Sequence, residues 1–150
     1  MSPVWRVVFD TSTLVGAALK PGSVQHRAFL QALARCDACA SAHTWLELEQ
    51  VMQRDRFDLY LRREARLDFV ALLRQSMRFF PVTQADEDAL QPRCRDRKDD
   101  KFLALAQVCH ADAVVSSNRD LLMLDPWRGI PVLTPAAFLS LNNAVTRKEA

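Results

Sequence analysis

Val4-Trp5-Arg6-Val7-Val8-Phe9 is a β-branched and aromatic run that halts at Asp10-Thr11-Ser12. It lacks the polar–apolar alternation of a strand with one wet face, so it reads as a strand buried on both sides. Such a strand needs helices above and below it. It also carries Asp10 out at its C-terminal end, where an isolated charge is costly unless it has a task.

The rest of the chain supplies those helices in alternation with further short strands. Behind a Ser23 cap, Val24, Ala28, Phe29 and Leu33 recur at helical spacing to about Arg35. Cys36–Ser41 reads as a second buried strand, and Thr44–Met52 as a helix with Leu46, Leu48, Val51 and Met52 as its apolar set. Residues 53–79 are laced with Arg54, Arg56, Arg62, Arg63, Arg66 and Arg74 over a stripe of Leu61, Ala65, Phe69, Leu72 and Leu73. A long amphipathic helix or a helix pair is expected there. Phe79–Thr83 reads as a third strand, Ala85–Lys98 as a loop or short helix, and Asp99–His110 as a helix. Ala113–Ser116 is a fourth strand, followed by a short helix over Asn118–Leu124. Ile130–Thr134 is a last strand, whose Pro131 suggests an edge. Pro135 then opens a final helix capped by Thr134. The expected fold is α/β: a central parallel sheet of about five strands, flanked by helices on both faces and joined by right-handed crossovers. One domain is expected over residues 1–141, with a polar tail over 142–150.

Twenty basic and eighteen acidic side chains leave a formal charge of +2. A polyanionic partner therefore has to be met by a local basic surface, because the global field is weak. The uncharged stretches Thr11–Leu19 and Phe102–His110 are too short to cross a bilayer, and no membrane association is expected. Met-Ser-Pro passes at once into a strand pattern, so no secretory leader is expected and the cytoplasm is the expected compartment. Cys36 and Cys39 form one Cys-x-x-Cys, but Cys94 and Cys109 do not form the second close pair that structural zinc wants. Free thiols are the simpler expectation, with zinc or a redox couple as the alternative.

In parallel α/β sheets, ligands bind beyond the C-terminal strand ends, and here those ends are acidic. Asp10 follows the first strand, Glu47 falls on the first turn of the helix after the second, and Asp96, Asp99 and Asp100 surround the start of the helix before the fourth. Asn118 and Asp120 follow the fourth strand. If the first, second and fourth strands are neighbours, these groups converge on one rim. Carboxylates so gathered repel one another, and Mg²⁺ or Mn²⁺ suits an all-oxygen site. Each acid also has a structural alternative. Glu47 matches a Thr44-x-x-Glu capping box, Asp96 and Asp99 suit a helix N-terminus, and Asn118 suits a helix cap.

These residues resemble the PIN-domain ribonucleases, and among them the toxin components of type II toxin–antitoxin modules. The resemblance runs over about residues 5–139. Its markers are Val7–Ser12, Glu47–Met52 leading to Arg56-Phe57, Cys94–Ala106 and Ala111–Leu122. It implies a Mg²⁺- or Mn²⁺-dependent endoribonuclease in which Asp10, Glu47 and Asp99 are the first three acids. Ser12 matches a polar position supporting the first aspartate, and Ser116 a hydroxyl position before the fourth acid. The sequence departs from the pattern at that fourth acid, where it has Asn118; Asp120 stands close enough in sequence to compensate in part.

The implied chemistry is metal-assisted phosphodiester hydrolysis. The metal ligands would be Asp10, Asp99 and Glu47 with Asp120, and Asn118 would position water. Arg95, Arg97, Lys98, Lys101 and Arg119 are candidates to hold RNA phosphates, or a solvated surface offsetting the acids. The partners implied are RNA, a cognate antitoxin covering the acidic pocket, and a second copy in a homodimer. Trp45, Tyr60 and Phe69 with the nearby arginines are a candidate partner groove. Two other readings stand beside this one. A haloacid-dehalogenase-like phosphatase needs Asp-x-Asp, and Ser12 occupies the second position. A weakened or inactive RNA- or protein-binding module follows from Asn118.

Overall fold

The structure is a computed structural model and describes residues 4–141. The polar tail expected over 142–150 lies outside the described residues. In chain order the elements are β1 (Arg6–Phe9), α1 (Thr11–Leu19), α2 (Val24–Arg35), β2 (Asp37–Ala40), α3 (Ala42–Met52), a 3₁₀ turn (Asp55–Leu59), α4 (Arg63–Ser76) and β3 (Arg78–Phe79). They continue with α5 (Gln84–Asp88), a second 3₁₀ turn (Arg97–Asp99), α6 (Asp100–Val108), β4 (Ala113–Val115), α7 (Arg119–Leu122), β5 (Val132–Leu133) and α8 (Pro135–Leu139).

The five strands are all parallel, in the order β3-β2-β1-β4-β5. Alternation along each strand sorts side chains to the two faces. Val7, Phe9, Ala38, Ala40 and Val115 pack with Leu14, Phe29, Leu48 and Phe138 on one side. Val8, Cys39, Val114 and Val132 pack with Phe102, Leu103, Leu105 and Trp127 on the other. The expected α/β architecture is therefore present, with β5 at the edge as Pro131 suggested. The chain leaves β1 toward β2 on one side and returns to β4 on the other. This reversal opens a crevice at the C-terminal end of β1, the usual ligand position in such sheets.

Several local expectations are corrected. Thr11–Leu19 is a helix, where the sequence pattern points to none. Asp10 is its N-cap, accepting from the Thr13 N–H, and most of the segment is buried, so it shows little amphipathic contrast. The α3 helix begins two residues early, with Ser41 as N-cap and Thr44 closing the capping box. Glu47 thus lies beyond the first turn and has no capping role. Leu46, expected on the apolar face of α3, and Leu72, expected on that of α4, are exposed. The third strand is Arg78–Phe79, shorter and earlier than expected.

Arg66, expected above the apolar stripe of an amphipathic helix, is 0% exposed. Its Nε donates to the Met52 carbonyl (2.8 Å) and its Nη2 to that of Arg54 (3.3 Å), while Nη1 reaches the Leu61 carbonyl and Asp58 (2.8 Å). A buried guanidinium thereby satisfies the Met52 carbonyl that the end of α3 leaves unpaired. It adds a second donor to the Arg54 carbonyl, which also accepts from the Phe57 N–H, and it ties the first 3₁₀ turn to α4.

Candidate active site

Asp10 stands where β1 ends, with its backbone still hydrogen-bonded to Val115 of β4. The parallel register that pairs Phe9 with Val115 makes the next residue of β4, Ser116, its lateral neighbour. Ser116 Oγ donates to Asp10 Oδ2 (2.5 Å) and accepts from the Asn118 N–H (2.8 Å). Ser12 Oγ lies further from the same oxygen (3.5 Å). Asp10 is only 3% exposed. Burial raises its pKa, and the hydrogen bonds from Ser116, Thr13 and Ser12 oppose that rise without overcoming it.

Asp99 ends the second 3₁₀ turn. Its Oδ2 accepts from Asn118 Nδ2 (2.9 Å). Burial, together with the charges of Asp96, Asp10 and Glu47, pushes its pKa up to about 6, against the pull of Lys101. Asp10, Glu47, Asp99 and Asn118 line one open cleft of about 650 Å³, as does Ser12. The convergence expected from the sequence is therefore present for these side chains.

The groups around them are arranged differently from expectation. Glu47 is held by Thr11 Oγ1 and by the Lys101 ammonium, which lies 2.7 Å from Oε2 and also donates to the Lys98 carbonyl. Lys101 is 6% exposed, so it is not part of a basic surface for phosphates; it neutralises Glu47. Asn118 Oδ1 accepts from the Asp120 N–H (2.8 Å), capping α7. Its amide nitrogen, and not its oxygen, is thus what faces Asp99. Asp120 does not line the cleft. Asp96 caps the second 3₁₀ turn through the Lys98 N–H, and Asp100 is buried against the Cys94 N–H and Arg93. Arg95, Arg97, Lys98 and Arg119 are exposed and stand outside the cleft.

The basic wall of the cleft is anticipated only in part: Tyr60 with nearby arginines is expected in a partner groove, but no residue of this wall is expected beside the acids. It is built by Lys20 at the end of α1 and by Arg54, Arg56, Phe57 and Tyr60 along the first 3₁₀ turn. The interleaved Arg54-x-Arg56-Phe57-x-x-Tyr60 is the signal that could have found it, but within the charge pattern of residues 53–79 it does not stand out. Trp45, expected with Tyr60 and Phe69 in a groove, is buried, and Arg74 stacks over its ring.

All four cysteines are free thiols. Burial pushes Cys36 and Cys94 up to about 11, far from a reactive thiolate. Among the described residues, no three His, Cys, Asp or Glu side chains form a ready metal cage. None of the described helices is long and apolar enough to cross a membrane.

A parallel α/β sheet with acidic side chains at its switch point defines a class of small domains built around one polar crevice. The PIN-domain family model matches residues 6–120, and the chain belongs to that family. No curated protein matches the sequence. Solved structures share the fold at low identity. VapBC2 from Rickettsia felis, bound to a DNA fragment from its promoter, aligns with a TM-score of 0.61 at 12% identity, over 86% of this chain and 98% of that one. PAE2754 from Pyrobaculum aerophilum aligns with a TM-score of 0.57 at 11% identity, over 93% and 90%. VapC20 from Mycobacterium tuberculosis, a toxin that cleaves the sarcin–ricin loop, aligns with a TM-score of 0.50 at 16% identity, over 72% and 86%.

Proposed function

We propose that this protein is a divalent-metal-dependent endoribonuclease and the toxin member of a toxin–antitoxin pair. Membership in the PIN family supports a nuclease, and the fold shared with VapC20 and VapBC2 supports the toxin role. One observation carries the chemistry: Asp10 and Asp99 face the same cleft, and both hold their protons more tightly than ordinary carboxyls. Two partly desolvated acids that resist ionisation side by side are the donor set that a hard cation relieves.

Asp10 and Asp99 would hold Mg²⁺ or Mn²⁺, which commonly takes one or two carboxylates and keeps waters for the rest. When bound, the ion supplies Lewis acidity toward a phosphodiester and lowers the pKa of water. The protein's own contributions are positional. Ser116 and the Thr13 N–H fix the Asp10 carboxylate, and Asn118 fixes that of Asp99. Glu47, held by Thr11 and Lys101, would orient the attacking water and take up its proton. Single-stranded RNA is the substrate class that enters such a cleft.

The Asn118 geometry favours a second reading. An amide N–H on Asp99 does part of what a cation would do, so a weakened nuclease or an RNA-binding module also follows. Cleavage of mixed RNAs in Mn²⁺ separates the two readings. The nuclease reading expects cleavage that EDTA stops and that Asp10→Asn lowers at least about 100-fold. Asparagine keeps the α1 cap, so circular dichroism should be unchanged. Equal cleavage by wild type and Asp10→Asn would remove the assignment.

A further inference from the structure

The cleft is bipolar. Its lining carries the acids on its floor and, from other elements, a basic wall of Lys20, Arg54 and Arg56 with Tyr60. None of the three cations forms an ion pair among the described residues. On the same turn Asp58 is engaged by Arg66, and the exposed Asp55 forms no ion pair among the described residues, so neither carboxylate holds these cations in a salt bridge. Tyr60, the chain's one tyrosine, is 59% exposed, and the Lys20 ammonium lies 5.8 Å from its ring centroid. An aromatic face beside unpaired cations is the chemistry of a groove that tracks a sugar–phosphate backbone and stacks its unpaired bases. Duplex bases are already stacked and do not offer that face.

We propose that this wall is the subsite for nucleotides flanking the scissile phosphate of single-stranded RNA, with a base on Tyr60 and phosphates on Lys20, Arg54 and Arg56. The inference rests on the RNA reading of the same cleft. It moves the binding surface away from Arg95, Arg97, Lys98 and Arg119, which stand outside. A base stacked on Tyr60 would set the register of the strand and hence which phosphate reaches Asp10 and Asp99.

The test uses the full chain in EDTA, so that binding is read without turnover. The probe is a single-stranded oligoribonucleotide with one 2-aminopurine, whose fluorescence is quenched by stacking. The triple variant Lys20→Gln, Arg54→Gln, Arg56→Gln should bind at least about 10-fold more weakly. Its slope of log affinity against log salt should be shallower by about 0.7 for each phosphate no longer neutralised. Tyr60→Ala should abolish the quench and weaken binding about 10-fold, whereas Tyr60→Phe should retain both. All these positions are exposed, so the variants should keep the wild-type circular dichroism spectrum.

Wild-type affinity in the triple variant, with the loss appearing instead in Arg95→Gln, Arg97→Gln, Arg119→Gln, would overturn the subsite even if RNA is cleaved. Binding that follows the wall without any cleavage in Mn²⁺ would support the subsite and count only against the hydrolase reading. No binding of the probe by wild type would assign the wall to a protein ligand and overturn the proposal.

Discussion

The two walls of the cleft are built on opposite principles. On the acidic floor nearly every polar atom is engaged: Asp10 by Ser116, Ser12 and the Thr13 N–H, Glu47 by Thr11 and Lys101, Asp99 by Asn118. On the basic wall Lys20, Arg54 and Arg56 are exposed and form no ion pair among the described residues. The turn that carries the two arginines is tied down through Arg66. The floor is rigid because charges at the ends of buried strands are tolerated only when partnered. The wall can present free cations because one buried arginine does its structural work. On the proposed reading, catalytic geometry would reside in the strand end, helix and 3₁₀ turn that hold Asp10, Glu47 and Asp99, and selectivity in a short exposed turn that substitutions can vary with little cost to the core.

The sharpest way to break this contrast is Arg66→Met. Methionine fills the space but leaves the Met52 and Leu61 carbonyls without their side-chain donor and Asp58 without its partner, while the Arg54 carbonyl keeps the Phe57 N–H. Loss of about 2–4 kcal/mol in urea unfolding is expected from the two carbonyls left without a donor, together with weaker RNA binding. Asp10→Asn in the same assay should cost little, since its cap survives. If Arg66→Met is as stable as wild type, the wall is not held by that guanidinium.

The floor is more legible in the sequence than the wall, for a physical reason. A strand buried on both faces is a continuous apolar run, and whatever polar residue follows it is conspicuous, so Asp10 and Ser116 can be placed without coordinates. The wall lies on a 3₁₀ turn with no periodicity, where exposed and buried arginines look alike; Arg54, Arg56 and Arg66 differ only in what they meet in space. Helix α1 escapes notice because it is buried on several sides and shows no polar stripe. Glu47 falls one turn further along than expected because Ser41 and Thr44 compete as caps at the start of α3, and Ser41 wins. Lys101 cannot be separated from its basic neighbours in sequence, since only the fold turns it inward to Glu47.

The charge on the floor makes a pH prediction. The Asp99 carboxyl binds its proton more tightly in the folded chain, at about 6, than at its ordinary value of 3.8, and Asp10 shifts in the same direction. A raised acid contributes stability that is present below pH 4 and is lost as pH rises through 6. Metal-free protein should therefore melt lower at pH 7 than near pH 5 on this account, and Asp99→Asn should flatten that limb. Mn²⁺ at a hundredfold excess over its dissociation constant should add about 2.7 kcal/mol at pH 7. The gain should be smaller at pH 5, where protons compete for the same oxygens. Calorimetry showing equal Mn²⁺ stabilisation in wild type and Asp99→Asn would place the ion elsewhere.

Lys101→Met tests whether the floor neutralises itself. The apolar stem survives while Glu47 loses its ammonium, so about 2 kcal/mol should be lost. Adding Glu47→Gln should return much of it, because the pair then carries no charge. A double variant no more stable than Lys101→Met would mean that packing, and not the ion pair, holds this corner.

The smallest effect and the most diagnostic belongs to Asn118→Asp. Aspartate still accepts the Asp120 N–H, so the α7 cap is kept, but the N–H that Asn118 gives to Asp99 becomes a like charge. Metal-free protein should lose about 1 kcal/mol, and the Asp99 carboxyl should titrate higher still. The same charge should tighten Mn²⁺ binding, so the variant should overtake wild type in stability once the ion is added. That crossing in melting temperature requires position 118 to share its electrostatic environment with Asp99. If Asn118→Asp is neutral both with and without Mn²⁺, the amide is only a helix cap, and its departure from the family pattern has no bearing on the metal.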